Sequence, residues 1–241
     1  LQREIITSVL TGNEHVLAIL PTGAGKSHCY QIPALLQQHT TLVVSPLIAL
    51  MKDQIDALHK KGIDHAYFIN STLSNVQRDT ILKLATEKKI KLLYIAPESL
   101  KSERILTILQ SLHIDRIVID EAHCISLWGH NFRPDYLRLG KIINTLGKLS
   151  ILCLTASATP EVEQDIQKQL GIVCTVFKAS FDRPNLFLEI VPLRPEINKE
   201  TFFIDLMKRL RGSTIVFAMY QKTTENLAVM LTTAGIPSTF Y

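Results

Sequence analysis

The sequence has few cysteines and a single tryptophan, and it has no long apolar run. Four of its 241 residues are cysteine, and no two of them form a C-x-x-C pair. Neither a zinc framework nor a disulfide framework is therefore indicated. A membrane span needs roughly 18 consecutive apolar residues, and the longest run is far shorter. No basic stretch followed by an apolar core marks the start, so we expect an intracellular protein that is not secreted, cytoplasmic if bacterial and nuclear if eukaryotic.

The composition is that of a chain that can bury a sizeable core. Hydrophobic residues make up 46% and charged residues 20% of the chain, as in globular proteins. The length of 241 residues predicts one large domain, or one domain with part of another. The net charge of +4 is compatible with a phosphate-bearing partner, but it is weak evidence because many proteins of this charge bind none.

Short β-branched runs alternate with amphipathic stretches along most of the chain. Because the runs are apolar throughout, both faces of their sheet are expected to be covered by helices. This alternation predicts an α/β fold with a doubly wound parallel sheet. The predicted strands are 15–20, 41–45, 91–96, 116–120 and 151–155, and the predicted helices are 27–37, 47–60, 74–87, 99–112, 136–146 and 160–170. Ser74 with Gln77 predicts a capping box, Pro160 after Thr159 a helix start, and Gly171 a helix end.

The pattern changes between residues 180 and 195, which contain Pro184, Pro192 and Pro195. The alternation then restarts with a predicted helix around 196–210, a strand at 214–218, a helix at 223–234 and a strand from 238. Too few residues remain for another complete α/β domain. We therefore expect a first domain over 1–185, a linker over 186–195 and the beginning of a second domain over 196–241.

The strongest chemical signal is the segment 20–27, LPTGAGKS, between a predicted strand and a predicted helix. Its glycines let backbone N–H groups surround a phosphate, and the helix N-terminus favours negative charge. Lys26 is expected to neutralise the outer phosphates, and the Ser27 hydroxyl to hold Mg²⁺. The general pattern begins with glycine, where this chain has Leu20. The alternative is an ordinary glycine-containing loop. The predicted ATP-binding residues here are Thr22, Gly23, Ala24, Gly25, Lys26 and Ser27.

A second signal is the segment 117–123, IVIDEAH, in which an apolar run ends in two acids. Asp120 is expected to hold Mg²⁺, and Glu121 to polarise the water that attacks the γ-phosphate. The alternative is a solvated turn or a helix cap. With the phosphate-binding loop on a neighbouring strand, the acids predict a nucleoside triphosphatase in which Lys26, Asp120 and Glu121 are catalytic.

A third signal follows directly. Trp128, His130, Phe132 and Arg133 lie in a segment rich in turn-forming residues. Exposed aromatic side chains and arginine can stack on unpaired bases, which contributes roughly 1–3 kcal/mol per base. These four residues are therefore candidates for binding single-stranded nucleic acid. The alternative is that Trp128 and Phe132 only pack the loop onto its own domain.

These motifs resemble those of a known family. The segment PTGAGKS with DEAH resembles superfamily 2 helicases, and 124–136, CISLWGHNFRPDY, resembles the aromatic-rich loop of RecQ-family DNA helicases. The segments CYQIPA (29–34), SPLIALMKD (45–53), LYIAPE (93–98), LTASAT (154–159) and FDRPN (181–185) agree in the family's order. The chain departs from the family at Leu127, where Gln is usual, and at Asn131, where an acid is usual, which puts the strength of DNA coupling in doubt.

The resemblance implies a RecA-like ATP-binding domain followed by a second RecA-like domain. It implies ATP and Mg²⁺ as cofactors, and single-stranded and branched or duplex DNA as partners. The implied activity is ATP-driven 3′-to-5′ translocation and unwinding of DNA in recombination and repair. Hydrolysis would be coupled to DNA through the loop that carries Trp128. The alternatives are an RNA helicase or RNA-dependent ATPase, a non-catalytic nucleic-acid-binding protein, and a nucleotide-dependent switch without unwinding.

The resemblance also implies roles for residues that carry no signal alone. Gln2 resembles the glutamine that reads the adenine edge, although a lone glutamine is usually solvated. His123, Thr155 and Ser157 are expected to link hydrolysis to strand separation, and the alternative for the two hydroxyls is capping of the following helix. In the segment 45–53, Ser45 and Lys52 are candidate contacts for DNA phosphates, although Lys52 is as easily explained as a solvated side chain.

The segments 215–218 and 221–224 resemble the first motif of the second helicase domain, a contact to the DNA backbone. In such enzymes the second domain supplies an arginine finger, worth about 10³–10⁵ in rate in comparable phosphoryl transfer. No arginine follows Arg211. Residues 1–241 alone are therefore expected to bind nucleotide weakly and to turn over little of it.

Overall fold

The computed structural model describes residues 1–12, 15–129, 132–180, 182 and 184–241. The chain divides into two compact units, Leu1–Arg183 and Pro184–Tyr241. The assignment of these units to two RecA-like domains joined by a linker over 186–195 stays a prediction. Among the described residues, no helix combines the length and the apolar character needed to cross a membrane.

The first unit is built on a parallel sheet, which has seven strands within the described residues. Its order is β3-β4-β2-β5-β6-β1-β7, so the chain crosses over repeatedly between non-adjacent positions. All neighbouring strands run parallel. The strands are β1 (His15–Ile19), β2 (Thr40–Val44), β3 (Ala66–Ile69), β4 (Leu92–Ile95), β5 (Ile114–Ile119), β6 (Ser150–Thr155) and β7 (Cys174–Lys178).

Helices connect the strands, as a parallel sheet requires. In the first unit they are α1 (Gln2–Thr11), α2 (His28–Leu36), α3 (Ile48–His59), α4 (Asn75–Thr86), α5 (Glu103–Ser111), α6 (Leu139–Leu146) and α7 (Pro160–Leu170). Three 3-10 turns, Pro97–Lys101, Ala122–Ile125 and Pro134–Arg138, lie between them. The second unit contains α8 (Lys199–Arg209) and α9 (Gln221–Thr233).

The core lies on both faces of the sheet. In β1, Leu17 and Ile19 belong to the apolar cluster on one face, whereas Val16 and Ala18 belong to the cluster on the other. All four side chains are fully buried, and burial of an aliphatic side chain contributes about 1.5–3 kcal/mol. Central strands are apolar throughout for this reason, and the predicted doubly wound parallel sheet is confirmed.

The predicted helix boundaries are confirmed where a side chain caps the helix. The Ser74 hydroxyl accepts from the Gln77 amide and the Gln77 side chain accepts from the Ser74 amide, which is the predicted capping box. The Thr159 side chain accepts from Val162 N at the start of α7, where Pro160 is the first residue. Gly171 ends α7 with φ of 67°, a left-handed conformation that glycine adopts without strain.

The sequence did not predict the two edge strands. β3 has only four residues, and β7 has exposed residues along its length, so neither shows the fully apolar run of a central strand. Two predicted helices are also shorter than expected. Residues 99–112 divide at Ser102, whose ψ of 114° is extended. Residues 136–146 begin in the 3-10 turn Pro134–Arg138 rather than in α6.

The second unit contains its two predicted helices but neither of its predicted strands. Residues 214–218 and 238–241 have no strand conformation, and no other strand lies between 184 and 241, all of which is described. A β-strand is stabilised by hydrogen bonds to a neighbouring strand, so a single β-like segment has no partner here. Its apolar side chains are solvent-exposed instead, Ile215 by 80% and Phe217 by 91%.

Candidate functional site

The phosphate-binding loop and the acidic segment both lie at the carboxyl edge of the sheet. Leu20 N, after β1, donates to Thr155 O at the end of β6, and Asp120 N, after β5, donates to Val44 O at the end of β2. Ligands of open α/β sheets bind at this edge. The prediction that the acidic segment and the phosphate-binding loop follow neighbouring strands is wrong, because β6 lies between β1 and β5. The spacing of motifs along a chain does not determine the order of strands in a sheet.

The loop between β1 and α2 has the backbone conformation that phosphate binding needs. Gly23 and Gly25 have φ of 82° and 73°, in the left-handed region that favours glycine. A Cβ atom at Gly25 would also collide with the Gln2 side-chain amide. The left-handed conformation therefore favours glycine at position 25, and a larger residue there would also displace the Gln2 amide.

Leu20, the departure from the general pattern, belongs to the core. Its side chain is 2% exposed and packs in one of the two apolar clusters. Its carbonyl oxygen accepts a hydrogen bond from Lys26 Nζ at 3.3 Å. Lys26 is therefore folded back over its own loop, with its ammonium group hydrogen-bonded to the backbone.

Gln2, on the first turn of α1, is joined to the loop directly. Its side-chain Nε2 donates to Ala24 O. The structure thus brings Gln2 to the predicted nucleotide site rather than leaving it solvated. Reading of the adenine edge by Gln2 stays a prediction.

Asp120 is a buried carboxylate that is 8% exposed. It accepts hydrogen bonds from Ser45 Oγ at 3.3 Å and from Glu121 N at 3.0 Å. Burial and, to a smaller extent, the nearby Glu121 carboxylate raise the pKa of Asp120 to about 6, against the opposing effect of its hydrogen bonds and of Lys26. A nearby cation would restore the charged form, because opposite charge favours ionisation.

The residues present fit Mg²⁺. The Asp120 carboxylate and the Ser27 hydroxyl are oxygen ligands, which Mg²⁺ prefers. The part of the chain that the structure describes contains no group of three or more His, Cys, Asp or Glu side chains that could hold a metal. Mg²⁺ commonly uses only one or two protein ligands together with water and substrate phosphates.

Glu121 has a strained backbone. Its φ of 48° and ψ of 47° are left-handed, a conformation that costs a residue other than glycine about 1–3 kcal/mol. Its carboxylate oxygen Oε2 lies 3.3 Å from His123 Nδ1. Strain of this kind clusters at functional sites, where the surrounding structure imposes it.

The three predicted coupling residues, His123, Thr155 and Ser157, contact one another next to Glu121. His123 is 8% exposed and Thr155 is fully buried, and His123 Nδ1 lies 3.0 Å from Thr155 Oγ1. The Thr155 hydroxyl donates to Ser157 O at 3.0 Å, and Ser157 N lies 3.3 Å from the same hydroxyl. Ser157 therefore contacts Thr155 through its backbone. The predicted contact of a hydroxyl with the segment 120–123 is made by Thr155.

The aromatic-rich loop follows the turn Ala122–Ile125. Trp128 is 76% exposed and Leu127 is 61% exposed, so Trp128 does not pack the loop onto its domain. Phe132 is half-buried. Arg133 is tied to the protein, because its Nη1 donates to Pro46 O at 2.9 Å. His130 and Asn131 lie outside the described residues.

The two predicted phosphate contacts differ in their surroundings. Lys52 is exposed on α3. Ser45 is only 2% exposed, and its hydroxyl donates to Asp120 Oδ2. The structure therefore does not favour the predicted contact of the Ser45 side chain with DNA. A phosphate contact needs an accessible hydroxyl, whereas Ser45, directly after β2, is buried against Asp120.

Sequence reasoning did not find Tyr136 as a site residue. Its side chain is fully buried, and its hydroxyl donates to Asp120 O at 3.1 Å. This bond holds the backbone at the acidic segment from the far end of the aromatic-rich loop. Its position directly after Pro134 and Asp135 gave no signal of that contact.

Comparison with protein families identifies the chain. The family model described as DEAD/DEAH box helicase matches residues 1–166. The chain belongs to the DEAD/DEAH box helicase family. The predicted resemblance to RecQ helicases is also confirmed. ATP-dependent DNA helicase RecQ of Bacillus subtilis (strain 168) is 44% identical over 230 residues, which cover 94% of this chain and 38% of the relative. The probable ATP-dependent DNA helicase RecS of the same organism is 41% identical, with coverage of 94% and 45%.

This helicase chain spans less than half the length of those two curated relatives. Among solved structures, the DUF1998 helicase MrfA bound to DNA and AMPPNP has a TM-score of 0.72 at 20% identity, covering 97% of this chain and 35% of the other. The Mycobacterium smegmatis helicase Lhr bound to ssDNA and AMP-PNP has a TM-score of 0.65 at 20% identity, covering 98% and 34%. At these identities the likeness shows the RecA-like helicase fold.

Proposed function

We propose that the protein is an ATP-dependent DNA helicase of the RecQ type, whose ATP hydrolysis is stimulated by single-stranded DNA. One observation carries the proposal. The exposed Trp128 loop begins directly after the turn that contains His123, and His123 contacts both Glu121 and Thr155. A candidate base-stacking surface is thereby joined through one side chain to the candidate hydrolytic residue. The names of the RecQ and RecS relatives support the same activity.

ATP binding begins with the loop between β1 and α2. The backbone amides of Thr22, Gly23, Ala24 and Gly25 surround the phosphates at the N-terminus of α2, and Ala24 N gives up its hydrogen bond to Pro21 O to do so. Lys26 exchanges its hydrogen bond to Leu20 O for the outer phosphates, since a charged acceptor binds an ammonium group more strongly than a carbonyl does. Gln2, already fixed to Ala24 O, presents its amide to the adenine edge.

Hydrolysis needs a water molecule aligned with the γ-phosphate. The Ser27 hydroxyl and the Asp120 carboxylate would hold Mg²⁺, which would supply positive charge to the phosphates. Glu121 accepts a hydrogen bond from the attacking water and orients it. The left-handed backbone of Glu121 fixes the direction of its carboxylate. His123 Nδ1, 3.3 Å from Glu121 Oε2, helps to hold that carboxylate in place.

Coupling to DNA runs through the aromatic-rich loop. Trp128 and Phe132 stack on unpaired bases, with roughly 1–3 kcal/mol from each base. His130 and Arg133 belong to the same proposed surface, and Lys52 contacts a DNA phosphate. Movement of the loop on DNA binding is passed to His123, and from there to Glu121 and Thr155.

Several parts of the proposal rest on the resemblance to RecQ helicases alone. They are the 3′-to-5′ direction, a role in recombination and repair, action on branched or duplex DNA, and a second RecA-like domain that completes the ATP site and of which 196–241 is only the beginning. Strand-displacement assays on substrates with a single 3′ or 5′ tail test the direction.

The deciding experiment is steady-state ATPase activity of the full-length protein, with and without single-stranded DNA. We expect strong stimulation by DNA in the wild type, loss of stimulation in Trp128→Ala, and loss of all hydrolysis in Lys26→Ala. Hydrolysis that DNA does not change would contradict the helicase proposal while leaving the ATP site standing.

An RNA-dependent ATPase is the second candidate. It is favoured by the likeness of the fold to the DEAD-box helicase Mss116 bound to ssRNA and UDP-BeF, with a TM-score of 0.54. ATPase assays with single-stranded RNA and single-stranded DNA of matched length and sequence distinguish the two candidate functions. Equal or greater stimulation by RNA would favour the second candidate.

A further inference from the structure

The hydroxyl of Ser126 is the attachment point of the aromatic-rich loop. Ser126 is fully buried, and its Oγ donates to Asp165 Oδ2 at 2.7 Å. The same oxygen accepts from Trp128 N at 3.2 Å. A hydroxyl that donates to a carboxylate forms a charge-assisted bond, roughly twice as strong as a neutral one. Ser126 therefore joins the backbone of the exposed tryptophan to an acid on another element.

Asp165 lies on α7, which begins directly after the segment 154–159. Its second oxygen accepts from Gln169 Nε2 at 3.2 Å, one turn further along the helix, so both carboxylate oxygens have partners. The helix is anchored by the buried side chains of Val162 and Ile166. A loop bound to Asp165 is thus bound to the same rigid element that continues from Thr155.

A cleft of about 200 Å³ lies between the loop and the start of α7. It is lined by His123, Trp128 and Gly129, by residues 157–159 and by Val162. Gly129 passes so close to the backbone carbonyl of His123 that a Cβ atom there would collide with it. The bond between Ser126 and Asp165 joins the loop that carries Trp128 to α7, the helix that carries Val162.

We infer that Asp165 is a positioning residue, which acts through the Ser126 hydroxyl to hold the Trp128 loop at a fixed distance from α7 and His123. The bond organises the loop before DNA arrives, so that base stacking on Trp128 moves His123 instead of being absorbed by a mobile loop. This inference rests on the proposed DNA-stimulated function for its effect on activity. Its effect on the loop itself does not depend on that function.

The first measurement is the time-resolved fluorescence anisotropy of Trp128 without nucleotide or DNA. The chain contains one tryptophan, and subtraction of the Trp128→Phe signal cancels any tryptophan outside these 241 residues. We expect Asp165→Ala and Ser126→Ala each to increase the fast, local depolarisation of Trp128. The double variant should add nothing to the effect of Ser126→Ala, because Ser126→Ala already removes the bond to Asp165, together with the bond from Trp128 N. Gln164→Ala, an exposed neighbour on α7, is the matched control.

The second measurement is the DNA concentration that gives half-maximal ATPase stimulation in the full-length protein. We expect Asp165→Ala to raise it about tenfold, the scale of one lost charge-assisted hydrogen bond. Asp165→Asn, which keeps the shape and an acceptor oxygen, should give a smaller rise. If Asp165→Asn and the wild type have equal midpoints of thermal unfolding, a rise in the DNA concentration for half-maximal stimulation is due to loop positioning and not to a loss of folding.

Two results would overturn the inference. One is unchanged Trp128 anisotropy in Asp165→Ala and Ser126→Ala. The other is additive effects of the two substitutions on anisotropy. If the wild type shows no stimulation by DNA, the proposed function fails, whereas the anisotropy still decides whether Asp165 positions the loop.

Discussion

His123 Nδ1 lies 3.0 Å from Thr155 Oγ1 and 3.3 Å from Glu121 Oε2. The Thr155 hydroxyl donates its own proton to Ser157 O, so it can only accept from the imidazole. Nδ1 must therefore carry a proton, which it shares between the threonine oxygen and the glutamate carboxylate. One N–H group thus links the residue that is proposed to orient water to the strand end that leads into α7.

Replacing Thr155 by valine tests this link. Valine has nearly the same shape but no acceptor, so the His123 N–H would turn wholly towards Glu121. We expect Thr155→Val to lower DNA-stimulated kcat about tenfold or more while nucleotide affinity stays within about twofold, with a loss of about 1–2 kcal/mol in the free energy of unfolding. Stimulated ATPase assays and nucleotide titration measure the two effects. Thr155→Ser keeps the hydroxyl and is the control. Indistinguishable activity of the valine and serine variants would contradict the link.

Gly25 and Gly62 form a matched pair for testing the phosphate-binding loop. Both have positive φ, 73° and 76°, but a Cβ at Gly25 would collide with Gln2 whereas one at Gly62 would have no atom within 4 Å. Alanine should cost each about 1 kcal/mol or more in the free energy of unfolding, because the backbone is left-handed. Only Gly25→Ala should abolish nucleotide binding. Fluorescent-nucleotide titration and chemical denaturation give the two readouts. If Gly62→Ala also weakened nucleotide binding, the loss of binding in Gly25→Ala would be explained by backbone strain alone and not by the phosphate-binding loop.

Gln2 is held in place before any nucleotide binds, through its bond to Ala24 O. We expect Gln2→Ala to raise the KM for ATP and to reduce the preference for ATP over GTP, because the adenine edge loses its amide partner. Gln2→Glu replaces the donor nitrogen by an acceptor and should do the same. Competition between the two nucleotides in the ATPase assay measures the preference. An unchanged preference in both variants would show that Gln2 only supports the loop.

The sequence predicted the parts of this structure that local chemistry determines. Central strands appear as apolar runs because both faces are buried, and helix ends appear where Ser74, Thr159 or Gly171 can cap a helix. The order of strands could not be predicted, because crossovers depend on packing over the whole sheet. Within the site, the burial of Ser45 could not be predicted for the same reason. Its polar side chain suited a surface contact, but the pairing of β2 with β5 buries it against Asp120.

Contacts between distant segments were also missed. Arg116 is 2% exposed and its Nη2 donates to Val9 O at the end of α1, although nothing in the sequence joins those positions. Tyr136 and Asp165 belong to the same class, since each acts through a residue on another element. Predictions from motifs located the residues with chemistry, whereas the residues that hold them in place required the three-dimensional arrangement.

The raised pKa of Asp120 makes stability depend on pH in a defined window. Burial raises that pKa from 3.8 to about 6, so the folded state holds a proton that the unfolded state has released between these values. The stability associated with the protonated carboxyl is complete below about pH 3.8 and is lost as the pH rises through about 6. The full difference is on the order of 2–3 kcal/mol.

Asp120→Asn, which stays neutral at every pH, isolates this contribution. In EDTA and without nucleotide, we expect the variant to be more stable than the wild type at pH 8, and the advantage to shrink steadily as the pH falls towards 4. Chemical denaturation of both proteins across that range gives the difference in the free energy of unfolding. When one stability curve is subtracted from the other, the contributions of all other titrating groups cancel, because the two proteins share those groups. A difference that stays flat between pH 4 and 8 would mean that Asp120 is ionised throughout, and that the buried site compensates its charge without a metal ion.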